Sequence, residues 1–308
     1  MKKEIIIVAG YLLLFILNGG CQSNNEVKEY YESGQLKSTG KVSDGKQIGD
    51  WTFYYNNGQI KTIENYVEGK VQGAIKQYYE NGQLKNIGSV MEGKQIGEWK
   101  YYHKNGQLDQ AGKWDEGEKI GEWKIYYSNG QLELIGKYIH GVKSGEWKNY
   151  YQNGKLKQIG EFDNGERTGE WKYYYENGEI EKNGTLENGN EIGEWKFYHS
   201  NGKVKQIGNV KNGQPHGEWK YFSENGQLNQ IGQFNNGKQT GEWKGYSKNT
   251  GQLIYVGSFF EGKKTGEWKV FHENGRLWKI GKFTNGKETG EWKFYDEKGS
   301  LQTKKQFE

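Results

Sequence analysis

Three kinds of residue in this sequence could do chemistry: histidines, carboxylates that stand beside lysines, and a single cysteine. Three of the five histidines, His103, His199 and His272, are regularly placed, and clustered imidazoles would bind a metal ion. Glutamates precede most tryptophans, and a pair of carboxylates in a pocket could act as general acid and base. Cys21 could serve as a nucleophile or as an attachment point.

The spacing of these residues argues against a reactive centre. His103, His199 and His272 occupy the same position in separate copies of a repeat, so each lies at its own hairpin tip and they cannot share a metal. The segment 286–290 resembles a phosphate loop but lacks its full spacing and the following helix. No Gly-x-Ser-x-Gly nucleophile motif occurs. The sequence therefore predicts no enzyme, no metal site and no cofactor.

The chain after the first 25 residues is one repeated sequence. Its period is 24 residues, with one extra residue at Asn249–Thr250, and Ile75 and Val27 take the place of tryptophan in two copies. We call the tryptophan position slot 0; an aromatic residue stands at slot +3 in every copy, and glycines recur at slots +7, +13, +18 and +22. This gives twelve copies. We interpret the slot-0 tryptophans as structural: Trp51, Trp99, Trp123, Trp147, Trp171, Trp195, Trp219, Trp243, Trp268 and Trp292.

Each copy has the pattern of a β-hairpin. The chain contains 48 glycines but one proline, and proline would remove donors from a continuous sheet. Asn105-Gly106 and its counterparts separate two aromatic or aliphatic runs. We expect this pair to form a two-residue turn, since Asn and Gly tolerate positive φ. The predicted fold is all-β, an elongated single-layer antiparallel meander of about twelve 24-residue hairpins.

A two-residue turn also predicts the register. Slot +4 would face slot +9, and slot 0 would face the glycine at slot +13, so that an indole covers bare backbone. Trp, Leu and Phe would then share one face, with Tyr at slot +3 and Ile at slot +12 on the other. A bulge at the slot +13 glycine would change this assignment, and the sequence leaves the two arrangements open.

The N-terminus has the pattern of an export signal. A basic start is followed by an apolar run from Ile5 to Leu17, which is too short to span a bilayer. Cys21 follows Gly19-Gly20 and resembles the lipidated cysteine of bacterial lipoproteins, with Asn18 where leucine is usual. Ordinary cleavage beside an incidental cysteine is the alternative. We predict a lipoprotein signal peptide at 1–20, a short lipidated linker at 21–25 and the repeat array at 26–308.

The unit Gly-Glu-Trp-Lys-x-Tyr-Tyr-x-Asn-Gly-x-Leu resembles the bacterial variant of the MORN repeat, and the YwqK-like proteins that carry the label antitoxin. The resemblance covers residues 26 to 308. It implies stacked β-hairpins and a role as a protein-interaction or structural scaffold near a membrane. With the export signal, we expect a non-enzymatic protein, lipid-anchored at a bacterial cell envelope, with an unidentified protein partner. Gln22 rather than Asp after the cysteine favours the outer membrane or cell surface over the inner membrane.

The same residues bear on two other classes of ligand, nucleic acid and carbohydrate. Nucleic acid is disfavoured, because the formal net charge is only +4 and acidic residues alternate with the lysines. The alternative function is a carbohydrate- or cell-wall-binding repeat protein whose exposed aromatic rows stack on glycan rings. If one patch binds a partner, we expect it where copies depart from the pattern, and the candidate residues are Pro215, His216, Lys248, Thr250 and Trp278.

Overall fold

The structure is a computed structural model that describes residues 5–7 and 25–308. Every regular element within these residues is a β-strand. The chain divides into two compact units, residues 1–154 and residues 155–308, and we describe each by itself. Apart from residues 5–7, the predicted signal peptide lies outside the described residues, as does Cys21.

The first unit is an antiparallel meander. From β2 onward each strand pairs with the next strand in sequence, and β1 pairs parallel with β2. The strands are β1 Ile5–Ile7, β2 Asn25–Tyr30, β3 Leu36–Ser43, β4 Lys46–Tyr54, β5 Ile60–Val67, β6 Lys70–Tyr78, β7 Leu84–Met91, β8 Lys94–Tyr102, β9 Leu108–Asp115, β10 Glu118–Tyr126, β11 Leu132–Ile139 and β12 Val142–Tyr150.

The second unit repeats this arrangement, again with neighbours in sequence paired antiparallel. The all-β meander of successive hairpins predicted from the sequence is thereby confirmed. Its strands are β13 Leu156–Asp163, β14 Glu166–Tyr174, β15 Ile180–Glu187, β16 Asn190–Tyr198, β17 Val204–Lys211, β18 Gln214–Phe222, β19 Leu228–Asn235, β20 Lys238–Tyr246, β21 Leu253–Phe260, β22 Lys263–Phe271, β23 Leu277–Thr284, β24 Lys287–Tyr295 and β25 Leu301–Phe307.

The turn within each copy differs from the two-residue turn that we predicted. His103 N donates to Gln107 O and Gly106 N donates to His103 O, and only Gly106, at φ +86°, has positive φ. This is a three-residue turn that closes with a left-handed glycine. Asn105 serves in another way, because its Oδ1 accepts a hydrogen bond from Gln107 N at 3.1 Å.

The two-residue turn instead joins one copy to the next. Asp163 pairs with Glu166 in the ladder, while Asn164 between them has φ +48° and Gly165 has φ +85°. Two successive residues of positive φ between paired strands form the hairpin turn whose twist matches the strands. Pro215, predicted to lie in such a turn, is the second residue of β18. Its carbonyl accepts a hydrogen bond from Gly237 N at 2.9 Å.

The ladder confirms that slot 0 pairs with slot +13, as Trp123 does with Gly136. A bulge near each hairpin tip then brings slot +9 opposite slot +3, as in the pair Leu108 and Tyr102. Because paired residues point to the same face, the leucine lies with the slot +3 tyrosine. Of the arrangements that the sequence left open, the one in which leucine shares a face with tryptophan is therefore not adopted.

A wider bulge decides where the indole lies. Between β9 and β10, Ile120 pairs with Lys113 and Lys124 pairs with Ala111, so Gly112 alone opposes three residues of β10. Trp123 is the last of those three. Its ring covers Gly112, where a Cβ would overlap the indole. The predicted glycine contact exists, but it is made to the preceding copy and not to the paired Gly136.

The slot-0 tryptophans are the centre of the packing on this face. Trp123 and Trp171 are each 1% exposed and Trp195 is fully buried. Where slot +15 of the preceding copy is aromatic, its ring packs edge-on against the indole, as in Phe234 and Trp243, whose ring centroids are 5.2 Å apart at 86°. Edge-to-face pairs are favourable beyond the area that they bury. The tryptophans therefore lie buried at the centre of this face.

Candidate interaction surface

The two faces of the sheet carry different chemistry in both units. We call the face with slots 0, +2, +11, +13 and +15 the tryptophan face, and the face with slots −1, +1, +3, +9 and +12 the tyrosine face. On the tryptophan face, basic side chains cover the indoles. The Nζ atom of Lys119 lies 4.0 Å from the ring centroid of Trp123 and that of Lys264 lies 4.4 Å from Trp268. A cation over an indole is attracted by the ring quadrupole.

This covering has an electrostatic cost for the lysine. Burial lowers the pKa of Lys119, and the positive charge of Lys143 lowers it further. Together, the cations and the neighbouring rings leave the slot-0 indoles no more than 4% exposed. The tryptophan row is thus closed to stacking by an external ring.

The tyrosine face is more exposed than the tryptophan face and carries many charged side chains. The glutamate at slot −1 and the lysine at slot +1 pair along the same strand, as Glu218 and Lys220 do at 3.0 Å. A hydrogen bond from Lys148 to Glu146, together with its charge, raises the pKa of that lysine. Such exposed pairs contribute little to stability, about 0–1 kcal/mol, so they define a surface chemistry more than they hold the fold.

Shallow grooves separate the charged rows of this face. One groove of about 360 Å³ crosses two copies and is lined by Glu122, Ile135, Lys137, Glu146, Lys148 and Tyr150, with Gly121 and Gly136 at its floor. The slot +3 tyrosines are half-buried along it. This groove therefore combines an aromatic ring, an aliphatic side chain and both signs of charge.

The hairpin tips are tied to one another along one edge. The hydroxyl of Tyr127, at slot +4, donates to the carbonyl of Tyr150 in the next copy at 2.7 Å. Asn105 Nδ2 likewise donates to Ser128 O in the next copy at 2.8 Å. Each bond spans 23 residues. Successive tips are thus stapled together, which explains why Asn recurs in a turn where it does not need positive φ.

The regularly placed histidines belong to this edge. Nε2 of His103, His199 and His272 each lies 2.9 Å from the slot +3 carbonyl of the following copy. They therefore replace the tyrosine hydroxyl as donors. Across residues 25–308, no three His, Cys, Asp or Glu side chains come together in a way that could hold a metal ion.

The candidate residues predicted from irregular copies are not brought into one patch. Pro215 and His216 begin β18 next to the turn that joins two copies. Lys248 and Thr250 lie in the tip turn between β20 and β21, where Ser247 Oγ accepts from Thr250 N at 3.3 Å and the extra residue is absorbed. Trp278 starts β23 and is 43% exposed.

Among these five residues, Trp278 has the surroundings best suited to contact a ligand. It lines an open groove of about 540 Å³ with Phe271, His272, Glu273, Asn274 and Glu297. The His272 and Trp278 ring centroids are 6.2 Å apart. Asn274 and Arg276, however, both donate hydrogen bonds to the Glu297 carbonyl. These polar side chains at the rim of the groove are therefore engaged in the bonds that connect successive hairpin tips.

A further departure from the repeat pattern, on the tryptophan face, was not recognised from the sequence. Ile75 occupies slot 0, and Glu64 occupies the slot +13 position of the preceding copy, where glycine normally receives the indole. The two residues pair in the ladder. A cavity of about 480 Å³ opens beside them. In the sequence, Glu64 and Ile75 are two departures from the repeat pattern that stand 11 residues apart. Only the contact between the two copies shows that they belong to one feature.

Comparison with known families matches the repeats. The family model described as MORN repeat variant matches residues 24–42, 47–68, 71–90, 95–115, 119–140, 143–164, 167–188, 191–212, 215–236, 264–285 and 288–308. Among curated proteins no match was found. In the part of the chain that the structure describes, no helix is both long and apolar enough to cross a bilayer.

Solved structures match this chain only at low identity and low TM-score. The crystal structure of TcdB2-TccC3 is 14% identical over 92% of this chain, with a TM-score of 0.21, and this chain covers 18% of its length. The crystal structure of TcdB2-TccC3-Cdc42 is 14% identical over 92% of this chain, with a TM-score of 0.20 and 17% of its own length covered. This chain thus spans under a fifth of those chains.

Proposed function

The chain belongs to the MORN repeat variant family, and from this premise we propose that it is a membrane-anchored, non-enzymatic scaffold of a bacterial cell envelope, similar to YwqK-like lipoproteins. That it is a repeat scaffold follows from the matched repeats and the hairpin meander. The anchor, the envelope and the protein partner are the proposed parts.

One observation carries the interaction role: the tyrosine face offers the same groove chemistry in successive copies. A half-buried tyrosine, an isoleucine and a Glu–Lys pair recur at fixed slots, as in the groove lined by Ile135, Glu146, Lys148 and Tyr150. Aromatic side chains flanked by polar groups are enriched at protein interfaces. A repeated surface suits a partner that runs along several copies, since each contact adds to the total affinity.

The anchor is supported by the sequence. Cys21 directly follows the predicted signal peptide, and 12 of the 13 residues from Ile5 to Leu17 are aliphatic, aromatic or alanine. One acyl chain binds a bilayer only weakly, whereas two or more hold a protein stably. A diacylated Cys21 would therefore keep the repeat array at the membrane, since its first strand begins at Asn25.

Metabolic labelling tests the anchor. Cells that express the full chain are fed an alkyne-tagged palmitate, and labelled protein is detected after fractionation. We expect label on the wild type in the membrane fraction. Cys21→Ser should lose the label and move to the soluble fraction, while Ser23→Ala, two residues away, should keep both properties. Membrane-bound but unlabelled wild type would contradict lipidation.

Photo-cross-linking tests the interaction surface. A benzophenone amino acid is placed at Tyr198 on the tyrosine face or at Phe197 on the tryptophan face. We expect one protein of defined mass to be captured in cells from position 198 and not from position 197. Equal capture from both positions, or capture from neither, would contradict a partner on the tyrosine face.

The packing of the tryptophan face limits where a carbohydrate, the alternative ligand, could bind. A lectin that used a row of tryptophans would need exposed indoles, and those at slot 0 are at most 4% exposed. A glycan could contact aromatic rings only at the tyrosine face or at isolated places such as Trp278. A glycan array with Trp278→Ala as the comparison separates this function from a protein scaffold.

A further inference from the structure

The third copy has no aromatic ring at slots 0 and +2 of the tryptophan face. Ile75 stands at slot 0 and Gln77 stands at slot +2, whereas the following copy has two stacked rings there, Trp99 and Tyr101 at 5.7 Å. A cavity of about 480 Å³, open to solvent, is lined by Gln77 together with Glu64 and Phe53. Cavities of this size are typical of small-molecule sites.

The cavity contains a carboxylate and not an apolar filler. Glu64 replaces the glycine that would otherwise lie beneath an indole. Its Oε1 accepts a hydrogen bond from Thr62 Oγ1 at 3.2 Å, and its Oε2 accepts one from the Tyr66 hydroxyl at 2.9 Å. If the copy needed only to fill space, a larger hydrophobic residue would do so without desolvating a charge.

The remaining walls supply complementary groups. Phe53 and Tyr66 form aromatic walls, held by ring contacts of 6.1 and 6.2 Å to Trp51. Lys61 and Lys85 also line the cavity. Gln77 Oε1 accepts from Asn86 Nδ2 at 2.9 Å, which leaves the Gln77 amide nitrogen to donate to a ligand.

We propose that this cavity binds a saccharide. The flat C–H face of a pyranose ring would lie against Phe53, with its hydroxyls donating to Glu64 and accepting from Gln77 and Lys61. Hydrogen bonds to charged groups are the stronger ones, and the mixture of one carboxylate with ammonium and amide donors matches hydroxyls, which both donate and accept. This site goes beyond the scaffold role and does not depend on the anchor.

Binding of defined sugars to the purified full chain tests the proposal. The probes are the trisaccharides of N-acetylglucosamine, glucose in α-1,4 linkage and glucose in β-1,4 linkage, measured by calorimetry and by saturation-transfer NMR. Purified peptidoglycan in a pull-down separates a wall polymer from a free oligosaccharide as the source. We expect saturable binding of at least one probe with a dissociation constant in the range of about 1 mM or tighter.

Three variants locate the site. Glu64→Gln should weaken binding at least about tenfold, because it removes the charged acceptor. The double variant E64G/I75W rebuilds the regular indole-on-glycine contact, so it should fold at least as well as the wild type and bind no sugar. Gln77→Tyr, which restores the usual slot +2 ring, gives a second way to fill the cavity. Glu122→Gln on the tyrosine face is the matched control and should bind as the wild type does.

The outcomes are distinguishable. Absence of saturable binding of any probe up to about 10 mM, with peptidoglycan also unbound, would overturn the proposal. Unchanged binding by E64G/I75W, with its fold verified by circular dichroism, would place the sugar elsewhere and overturn it as well. Loss of the cell-envelope anchor would affect neither result, so the two proposals fail separately.

Discussion

The indole of Trp123 lies over Gly112 of the preceding copy, although Trp123 pairs in the ladder with Gly136 of its own copy. The bulge opposite Gly112 allows this arrangement. It also exposes the carbonyl of Lys113, which accepts a hydrogen bond from Trp123 Nε1 at 3.2 Å. The same bond, between indole and the residue after the glycine, joins Trp51 to Lys41 and Trp219 to Asn209, each at 3.0 Å. Each tryptophan thus binds two copies together.

This contact predicts that Gly112→Ala destabilises the array through the ring and not through backbone strain. Overpacking a well-packed site costs about 1–3 kcal/mol. Trp123→Ile alone should cost about 2–5 kcal/mol, as large-to-small core changes do. The double variant should cost less than the sum of the two, because the methyl group then has space. Native-state hydrogen exchange across β9 and β10 measures these changes locally, and strict additivity would contradict the contact.

The tip staples predict that tyrosine and histidine are interchangeable at slot +4. His103→Tyr should leave stability within about 0.5 kcal/mol, since the hydroxyl can donate to Tyr126 O as Tyr79 does to Tyr102 O at 2.8 Å. His103→Phe removes the donor and should cost about 1 kcal/mol. Thermal unfolding of both variants measures the difference. Equal melting temperatures for the two would show that the staple contributes nothing.

A ring on the tryptophan face can come from either strand of a hairpin. Tyr221 pairs with Gln230, whereas in the next copy Gly245 pairs with Tyr255, and Tyr255 stacks on Trp268 at 5.6 Å. A Cβ at position 245 would overlap the Tyr255 ring. Gly245→Tyr should therefore be destabilising by about 1–3 kcal/mol. Adding Tyr255→Gln should restore most of this loss, and a double variant no more stable than Gly245→Tyr alone would contradict the exchange. Chemical denaturation followed by tryptophan fluorescence measures both.

Tyr66 should titrate at unusually high pH. Burial, and then the hydrogen bond and charge of Glu64, raise its pKa to about 12. A raised pKa in the folded state favours the neutral phenol, so the stability that it contributes is complete below about pH 10 and is lost as the pH rises toward 12. The ultraviolet difference between wild type and Tyr66→Phe should show this late phenolate.

A second variant separates the two causes of the raised Tyr66 pKa, which are burial and the contact with Glu64. Glu64→Gln removes the charged acceptor but leaves the burial, which is the larger cause. The phenolate transition should therefore move to lower pH and remain above that of a free tyrosine, about 10. Circular dichroism at each pH verifies that the fold persists during the titration. An unshifted transition in Glu64→Gln would contradict the contact between the two side chains.

The sequence by itself determined the repeat, the strand content and the pairing of slot 0 with slot +13. These follow from local chemistry: a fixed period places tryptophan, glycine and turn residues at constant offsets, and alternation along a strand assigns faces. The tryptophan of one copy, such as Trp99, could thus be identified as structural without coordinates. The resemblance to the MORN repeat variant rests on the same residues and is confirmed by the matched repeats.

Only the tertiary structure decided how copies meet. A bulge shifts register by whole residues, and sequence patterns do not reveal its size. The wide bulge places Trp123 on Gly112, and the bulge near the tip moves Leu108 to the tyrosine face. The pairing between copies places Glu64 opposite Ile75. The asparagine of the tip was assigned to backbone conformation, but its role is a bond to the next tip. Contacts between copies depend on the sheet geometry across strands, which no single repeat contains.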